Sequence, residues 1–411
     1  MKTKERRVAV IGGGLGGLTA AIAIARNEFN VQVFEQARDL REVGAGISIT
    51  PNGAKVLRAL GLEDTLRVRG FEPEAVIGRD WTTARPVFSV PLKDVAVDRY
   101  GAPNIDFHRA DLLDILATSA RLTCQIHLDS RCVAVSSSDR GAIVTLSDGR
   151  REEFDLVVGC DGIHSVVRET LHGCDAPRFT GNMCWRALIP VEKLPPNHVS
   201  PDVTIWTGPG GHIVTHYVRG GTLVAVAAIR ETADWAEESW STEANTSELV
   251  AAFPQVHWTL RLLLEFADQR FKGGLFDRNP LPTWGRNFIT LLGDAAHPML
   301  PFLGQGASMA FEDAYVLSRE LCRSPEDVAR ALRAYEAERI PRTAKVQLAA
   351  RKQGEVFHLT SPLSRIKRWF QNRVDLDQGR LAELQTEWLY NYDPTCCVGD
   401  VESHSPQWTE L

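Results

Sequence analysis

A short apolar segment, a glycine-rich turn and a run of small residues follow one another at the start of the chain. Residues Arg7–Ile11 are typical of a buried β-strand, and Thr19–Ala25 of a helix built from small apolar side chains. Gly12 permits a tight turn, Gly14 lets the backbone approach a pyrophosphate, and Gly17 allows the helix to pack closely on the sheet. The pattern therefore predicts a dinucleotide site whose phosphates lie at the positive N-terminus of the helix.

A second predicted strand extends this unit and ends in an acid. It covers Val31–Glu35, and Glu35 follows the glycines by about twenty residues, where a ribose hydroxyl requires an acceptor. Leu15 lies between the glycines and belongs to the predicted turn. At this point NAD and FAD fit the site equally well.

Two later motifs have the same construction, in which a buried strand is followed by a glycine and an acid. Phe154–Cys160 leads into Asp161, and Phe288–Leu292 leads into Asp294. The later motif continues into a segment rich in Pro and Gly, ahead of a predicted long helix. Strand ends that carry acids mark the ligand crevice of a doubly wound sheet. The three motifs therefore indicate one site assembled from distant parts of the chain.

In this order the three motifs resemble those of the FAD-dependent aromatic hydroxylases, the single-component flavin monooxygenases similar to p-hydroxybenzoate hydroxylase. The resemblance implies FAD as the bound cofactor. It also implies an α/β fold, in which a Rossmann-like FAD-binding domain is interleaved with a mixed-sheet substrate domain and followed by a helical C-terminal region. The predicted FAD-binding domain comprises residues 1–75, 105–175 and 285–345, the substrate-binding domain 76–104 and 176–284, and the C-terminal region 346–411.

The cofactor contacts of this family carry over to matching positions of the sequence. The resemblance assigns Asp294 to the ribitol chain of FAD and Arg109 to its phosphates. It assigns Asp161, together with Arg168, to flavin and nicotinamide recognition. The glycine-rich loop 43–52 is expected against the isoalloxazine ring. The predicted cofactor-binding residues are Gly12, Gly14, Leu15, Gly17, Glu35, Gly46, Arg109, Asp161, Asp294, Gly304 and Gly306.

The candidate for substrate chemistry is a predicted strand of the middle region, His212–Tyr217. Because side chains alternate along a strand, His212 and His216 share one face and Tyr217 lies on the other. A half-solvated strand would give the same pattern. A histidine with a pKa near neutrality can take the proton of a phenol, which makes the ring more electron-rich. Relatives in the resembled family use a histidine at a place similar to His212, so the predicted catalytic residues are His212 first, then His216 and Tyr217.

Three other positions receive secondary assignments. His297, inside the late motif, is expected to support the flavin loop rather than to contact the substrate. Trp185 and Arg186 are considered as an aromatic wall and as a partner for a carboxylate. Pro301–Gly304 is suited to packing beside the reactive edge of the flavin ring.

The resemblance implies a reaction with three reactants besides the cofactor. NADH or NADPH reduces FAD, and O2 then forms a flavin C4a-hydroperoxide that hydroxylates a phenolic or hydroxy-heteroaromatic carboxylate. The similarity runs through nearly the full chain and is strongest to 6-hydroxynicotinate 3-monooxygenase, 3-hydroxybenzoate 6-hydroxylase and salicylate hydroxylase. Ser48 and His216 depart from the hydroxynicotinate enzymes, in which a histidine and a tyrosine are expected, so the choice of substrate stays open.

Composition narrows the set of partners. The 411 residues carry a formal net charge of −6, which argues against nucleic acid. No apolar run approaches the roughly twenty residues that span a bilayer. The eight cysteines are scattered without metal or disulfide spacing, so no metal is expected. We expect a cytoplasmic enzyme whose partners are a small aromatic substrate, NAD(P)H and O2, with a homodimer as one possible assembly.

Two other functions stay open at this point. An FAD enzyme on the same scaffold could act on a larger or non-phenolic substrate, as an epoxidase or a reductase. A non-catalytic FAD-fold protein could instead bind a partner, although three intact motifs count against it. A flavin halogenase is excluded, because the Trp-x-Trp-x-Ile-Pro stretch expected of one is absent from the sequence.

Overall fold

The computed structural model describes residues 6–40, 45–233, 242–358 and 386–396. Val43 and Gly44, from the loop expected against the isoalloxazine, lie outside these residues. So does most of the predicted C-terminal region after residue 358.

The described strands, in chain order, are β1 (Arg7–Ile11), β2 (Asn30–Phe34), β3 (Gly46–Ile49), β4 (Ala75–Asp80), β5 (Pro86–Pro91), β6 (Ile105–His108), β7 (Gln125–His127), β8 (Cys132–Ser137), β9 (Ala142–Leu146), β10 (Arg151–Phe154), β11 (Leu156–Gly159), β12 (Arg178–Pro190), β13 (Val203–Gly208), β14 (Gly211–Val218), β15 (Leu223–Glu231), β16 (Thr242–Glu243), β17 (Gln269–Asp277) and β18 (Ile289–Leu291). The α-helices are α1 (Leu15–Ala25), α2 (Pro51–Ala59), α3 (Glu63–Arg69), α4 (Lys93–Tyr100), α5 (Arg109–Arg121), α6 (Val166–His172), α7 (Thr246–Ala252), α8 (Trp258–Glu265), α9 (Gly306–Arg323) and α10 (Val328–Phe357).

A five-stranded parallel sheet brings the three glycine motifs together. Its order is β18-β11-β1-β2-β7. Ile11 lies opposite Gly159, and Gly159 lies opposite Leu291, so the strands that precede the three motifs are neighbours in register. Their side chains are buried, which accounts for the continuous apolar runs in the sequence. Because the carboxyl ends of parallel strands meet at one edge, the predicted Rossmann-like arrangement is confirmed.

An eight-stranded mixed sheet forms the second layer, in the order β16-β17-β12-β15-β14-β13-β4-β5. β13, β14 and β15 form the predicted antiparallel meander, and β4 joins β13 in parallel. β12 lies on the far side of β15 instead of next to β13, which follows it along the chain. The sheet therefore places β14 near its centre, and the predicted mixed-sheet layer is confirmed.

Two helices cover one face of this sheet, where the sequence predicted a single helical segment over residues 245–267. α7 ends before Phe253, which adopts φ −128° and ψ 64°. Pro254 follows, and the residue before a proline is disfavoured in helical geometry. Leu249 and Leu260 pack with Trp81, the residue that follows β4. The opposite face of the sheet remains to line a cavity.

Two long helices complete the described fold. α9 begins at Gly306, directly after the late glycine motif, and packs against α1 and α10. α10 runs without a break across residues 345 and 346, where the sequence predicted a domain boundary. None of the described helices is both long and apolar enough to cross a membrane.

Candidate active site

A cavity of about 2020 Å³ lies between the edge of the parallel sheet and the inner face of the mixed sheet. Residues of all three glycine motifs line it on one side, and residues of β14 line it on the other. Small-molecule pockets are commonly about 300–1,000 Å³. This cavity therefore has room for a dinucleotide together with a small ring.

The first glycine turn has the shape that a pyrophosphate requires. Gly12 has φ +103°, and a Cβ there would lie 2.5 Å from the carbonyl oxygen of Cys160. A Cβ on Gly17 would overlap the carbonyl oxygen of Gly12. No described atom lies within 4 Å of the place that a Cβ on Gly14 would occupy, so the backbone is open to a ligand there. α1 begins at Leu15 and directs its first N–H groups toward this opening.

Glu35 lies in the cavity wall beside the same turn. Its Oε2 accepts a hydrogen bond of 2.6 Å from the backbone N–H of Gly13. Its Oε1 accepts one of 2.8 Å from the N–H of Ala37. The carboxylate is therefore held between the glycine turn and the cavity, where a ribose hydroxyl can reach it.

The carboxylate of the middle motif caps the N-terminus of α6, the helix that follows it. The Asp161 carboxylate accepts hydrogen bonds from the Ser165 hydroxyl, at 2.5 Å, and from the backbone N–H of Val166, at 2.8 Å. Burial raises the pKa of Asp161 in spite of these hydrogen bonds. Asp161 lines the cavity. Its hydrogen bonds cap the N-terminus of α6. The same residue therefore stabilises the helix and also borders the space for the ligand.

Arg168 connects the middle motif to the late one instead of facing the ligand space. It is buried, and its Nη1 donates to the carbonyl oxygens of Ala295 and Ala296 at 3.2 and 3.1 Å. Its Nη2 pairs with Asp175 at 3.0 Å. The structure therefore places the predicted nicotinamide partner behind the cavity wall.

The late motif presents Asp294 to the cavity as an exposed side chain. Behind it, His297 is buried and its Nε2 lies 2.5 Å from Oδ2 of Asp313. Burial opposes ionisation of Asp313, but His297 and the Arg339 guanidinium, at 2.7 Å, outweigh it and lower the pKa of the carboxyl. His297 thus lies on the support side of the loop, as expected from its place in the motif. Gly304 follows with φ +62° and leads into the helix that starts at Gly306.

Arg109 and Gly46 lie where the two layers approach each other. Arg109 is the first residue of α5, lines the cavity, and donates its backbone N–H to the carbonyl oxygen of Ala45 at 2.9 Å. A Cβ on Gly46 would lie 2.5 Å from Nε2 of His216. The predicted flavin loop and the predicted catalytic strand are therefore in direct contact at this glycine.

Strand β14 divides the three predicted catalytic residues between its two faces. His212 and His216 line the cavity. Tyr217 does not line it; its hydroxyl donates to the carbonyl oxygen of Val199 at 2.9 Å, and its ring packs 5.1 Å from that of Phe71. The structure brings the two histidines together with the cofactor motifs and separates Tyr217 from them.

His212 is buried near the start of the strand. The residue is 1% exposed, and its ring centroid lies 5.1 Å from that of Phe302 and 4.8 Å from that of Phe357. Its Nδ1 lies 2.7 Å from Nε2 of His358. Burial lowers the pKa of His212 well below its ordinary value, and His358 acts in the same direction. The sequence offered no signal for His358, since it ends a helix of polar character far along the chain.

His216 faces a buried carboxylate that sequence reasoning missed. Its Nδ1 lies 3.2 Å from Oδ2 of Asp106, which has no exposed surface. The Ser48 hydroxyl donates to the other oxygen of Asp106 at 2.5 Å. Asp106 lies between two apolar residues of β6, and all four residues of that strand are buried. The alternation of side chains along a strand would by itself predict an exposed position for Asp106, because it assumes that one face of the strand meets solvent.

Two further parts of the wall differ from the prediction. Arg186 lines the cavity, but its neighbour Trp185 packs edge-on against Phe253 on the opposite face of the sheet. Adjacent residues of one strand cannot share a face, so the predicted pairing of an aromatic wall with a cation was wrong. The described segment Trp388–Tyr390 adds apolar surface to the cavity. It is held by Lys55, whose Nζ donates to the carbonyl oxygen of Tyr390 at 2.9 Å.

Comparisons with known proteins agree with this arrangement. A model of the FAD binding domain matches residues 5–350. The 3-amino-4-hydroxybenzoate 2-monooxygenase PtmB3 of Streptomyces platensis is 38% identical over 392 residues, covering 94% of this chain and 96% of that enzyme. The 6-hydroxynicotinate 3-monooxygenase of Bordetella bronchiseptica is 37% identical, covering 83% and 89%. The crystal structure of Klebsiella pneumoniae HpxO with FAD and uric acid superposes with a TM-score of 0.84 at 26% identity, covering 95% and 98%.

These matches confirm the predicted resemblance to the FAD-dependent aromatic hydroxylases and the prediction of FAD as cofactor. The region that the family model matches contains all three glycine motifs and the histidine-bearing strand. The open turn at Gly14 and the size of the cavity fit the cofactor of that family. The chain belongs to the FAD binding domain family.

Proposed function

We propose that this protein is an FAD-dependent, NAD(P)H-consuming monooxygenase that hydroxylates a phenolic or hydroxy-heteroaromatic carboxylate. The observation that carries the proposal is the pair His212 and His216, which line one cavity together with the three glycine motifs. The two relatives compared above are named as monooxygenases of an aminohydroxybenzoate and a hydroxynicotinate. Both names combine a ring hydroxyl with a carboxylate, and the two histidines offer one partner for each.

The cofactor residues keep the roles that the resemblance implies. The open backbone at Gly14 would hold the pyrophosphate, Glu35 a ribose, and Asp294 the ribitol chain. Bound FAD would supply the redox chemistry by which O2 is activated for transfer to the ring. The protein's own part is to orient the ring and to exclude water. Phe302 and Phe357, packed around His212, supply the apolar wall for this purpose.

His212 is assigned as the base that takes the phenolic proton. Its Nδ1 is occupied by His358, so Nε2 is the nitrogen available to a ligand. Burial keeps the ring neutral, as its lowered pKa indicates, and a neutral imidazole has a lone pair to accept a proton. Electrophilic attack on the ring is then favoured because the phenolate is richer in electrons than the phenol.

His216 is assigned as the partner of the substrate's carboxylate. Asp106 lies against its Nδ1, and its Nε2 is next to Gly46, at the cavity surface. Asp106 would hold the ring in place from its Nδ1 side while Nε2 faces the anion. Arg186 lines the same cavity and adds a positive charge. This arrangement supports a carboxylate-bearing substrate over a neutral one.

The domain division, the reductant, the location and the assembly of the enzyme belong to the same proposal. We divide the chain at the boundaries predicted from the sequence, with the FAD-binding residues in three segments and the substrate-binding residues in two. We expect NADH or NADPH to dock transiently, in a cytoplasmic enzyme that is able to form a homodimer. The alternatives are an epoxidase or a reductase on the same scaffold, acting on a larger or non-phenolic substrate, and a partner-binding FAD-fold protein.

The test is to measure NADH and NADPH oxidation by the FAD-loaded protein while product and hydrogen peroxide are quantified. The panel comprises 3-amino-4-hydroxybenzoate, 6-hydroxynicotinate, 3-hydroxybenzoate, salicylate and urate. We expect one of the four carboxylates to accelerate oxidation and to be recovered as the hydroxylated product. Acceleration by none of them, with FAD retained, would contradict the proposal and favour a larger or non-phenolic substrate. Failure to retain FAD would favour a binding protein.

A further inference from the structure

Three titratable residues form a row from the buried wall of the cavity to the surface. Nδ1 of His212 lies 2.7 Å from Nε2 of His358, and Nδ1 of His358 lies 3.2 Å from Oε1 of Glu231. The side chain of His358 is 3% exposed, whereas that of Glu231 is 51% exposed. The row comes from two strands and the end of α10, and the backbone of His358 is held by the N–H of Gly210. Three separate elements of the fold therefore hold the row in place.

The outer residue sets the direction of the hydrogen bonds. An ionised carboxylate can only accept, so the ring nitrogen of His358 that faces Glu231 carries a proton. In neutral His358 the other nitrogen, Nε2, is then an acceptor, and it receives the N–H of His212 Nδ1. This leaves Nε2 of His212 without its proton and able to accept one. The surface carboxylate thus selects the tautomer that a base at the cavity wall requires.

We propose that His358 and Glu231 form a relay that carries the substrate's phenolic proton from His212 to solvent. The inference rests on the proposed function, because it needs a phenol in the cavity. The phenolic O–H bond breaks and its proton binds Nε2 of His212. The proton on Nδ1 of His212 moves to Nε2 of His358, and the proton on Nδ1 of His358 moves to Glu231 and then to water. The ring oxygen keeps the electron pair, and both histidines end neutral.

The surroundings of His212 explain why a proton accepted by this residue has to move on to another group. The aromatic rings of Phe302 and Phe357 pack against its sides, and an unpaired imidazolium is costly in such an apolar setting. The Cys184 thiol of β12 packs in the same apolar cluster as Phe302 and Phe357. Burial raises the pKa of this thiol to about 11, so no thiolate is present near neutral pH to accept the proton. The cations Arg186 and Lys352 line the same cavity, from β12 and α10.

The test compares His358→Gln and Glu231→Gln with the FAD-loaded wild type. In the first variant the new amide side chain would keep a hydrogen bond to His212 but could not accept and release a proton. The oxidised enzyme is mixed with 3-amino-4-hydroxybenzoate in weak buffer, and a pH indicator reports proton release in stopped flow. The pH profile of hydroxylation is measured in parallel. The matched control is His198→Gln, which removes a histidine bonded to the Thr259 carbonyl, outside the cavity.

We expect proton release in His358→Gln to be slower by about a hundredfold near pH 7, at the low end of what a positioned acid–base group contributes. Glu231→Gln should slow release in the same direction by a smaller factor. Both rates should recover toward the wild-type rate as the pH is raised and the phenol ionises in solution. Ligand affinity should stay within about twofold, since neither residue lies on the ligand side of His212. The control should follow the wild type at every pH.

The outcomes separate the relay from the function on which it rests. Proton release at the wild-type rate in both variants, with hydroxylation intact, would overturn the relay and leave the proposed function standing. Hydroxylation of no ligand by the wild type would overturn both. If His358→Gln fails to fold, Glu231→Gln decides, because its side chain is half exposed and its removal leaves the core intact.

Discussion

The two ends of strand β14 carry the same side chain in opposite surroundings. At one end, His216 lies 3.2 Å from a buried carboxylate, Asp106. At the other, His212 lies among two phenyl rings and a second histidine, and its pKa is lowered well below the ordinary value by burial. The strand places both rings on one face, but the neighbouring elements decide what each can do. The role of each histidine is therefore set by the element packed against it and not by the strand that carries it.

The most severe test of this comparison is His212→Gln. If His212 is the base, hydroxylation should fall by about 10²–10⁴-fold near pH 7, the usual contribution of a positioned general base. The loss should shrink as the pH rises, because the phenol then ionises without help. The measurement is the rate of product formation against pH in the FAD-loaded variant. An equal loss at every pH would assign the proton transfer elsewhere, with His216 the next residue to examine.

The other end of the strand is tested by Asp106→Asn. The substitution keeps the size of the side chain and its contact with Ser48, but removes the negative charge beside His216. We expect KM for a carboxylate substrate to rise by about 10–100-fold, the equivalent of one hydrogen bond to a charged group, with kcat much less affected. The control is a phenol of the same ring that lacks the carboxylate, for which wild type and variant should have similar KM. A fall in kcat at constant KM would instead make Asp106 a partner in proton transfer.

The pH dependence of stability gives a third comparison. His212 has a folded-state pKa well below 6.5, so below pH 6.5 the unfolded chain binds a proton that the folded chain does not. The free energy of unfolding should therefore decrease as the pH falls, by about 1.4 kcal/mol per pH unit for this residue between its two pKa values. In His212→Gln this contribution to the slope should be absent. Denaturant unfolding between pH 7 and pH 5 measures it.

Tyr217→Phe is the control for this slope, since the pKa of Tyr217 is raised above its usual value near 10 and does not titrate in this range. Equal slopes in wild type and His212→Gln would show that the buried ring takes up its proton in the folded state. The residue would then not be the neutral base that the comparison requires.

The smallest expected effect is that of Tyr217→Phe on catalysis. Tyr217 lies on the face of β14 that turns away from the cavity, and its hydroxyl donates to the Val199 carbonyl. We expect kcat and KM to stay within about twofold of the wild type, while loss of one hydrogen bond lowers stability by about 1 kcal/mol. A large fall in kcat would return Tyr217 to the active site and would mean that the strand presents its other face to the substrate.

The cofactor side of the site was predictable in most of its parts, and the substrate side was not. Gly12, Gly14 and Glu35 follow a local pattern whose geometry is nearly independent of the rest of the chain. Alternation along β14 correctly separates the face of His212 from that of Tyr217. The same rule separates Trp185 from Arg186, which were expected together although neighbours in a strand point apart.

Local sequence thus determined the glycine turns, the order of strands and helices, and the side of β14 on which each residue lies. These features depend on backbone conformation and on a period of two or 3.6 residues, which are visible within a short window. Only the tertiary structure decided that Asp106 faces His216 and that His358 faces His212. Both contacts join residues more than a hundred positions apart, and a polar side chain in an apolar stretch carries no local mark of the partner that it meets after folding.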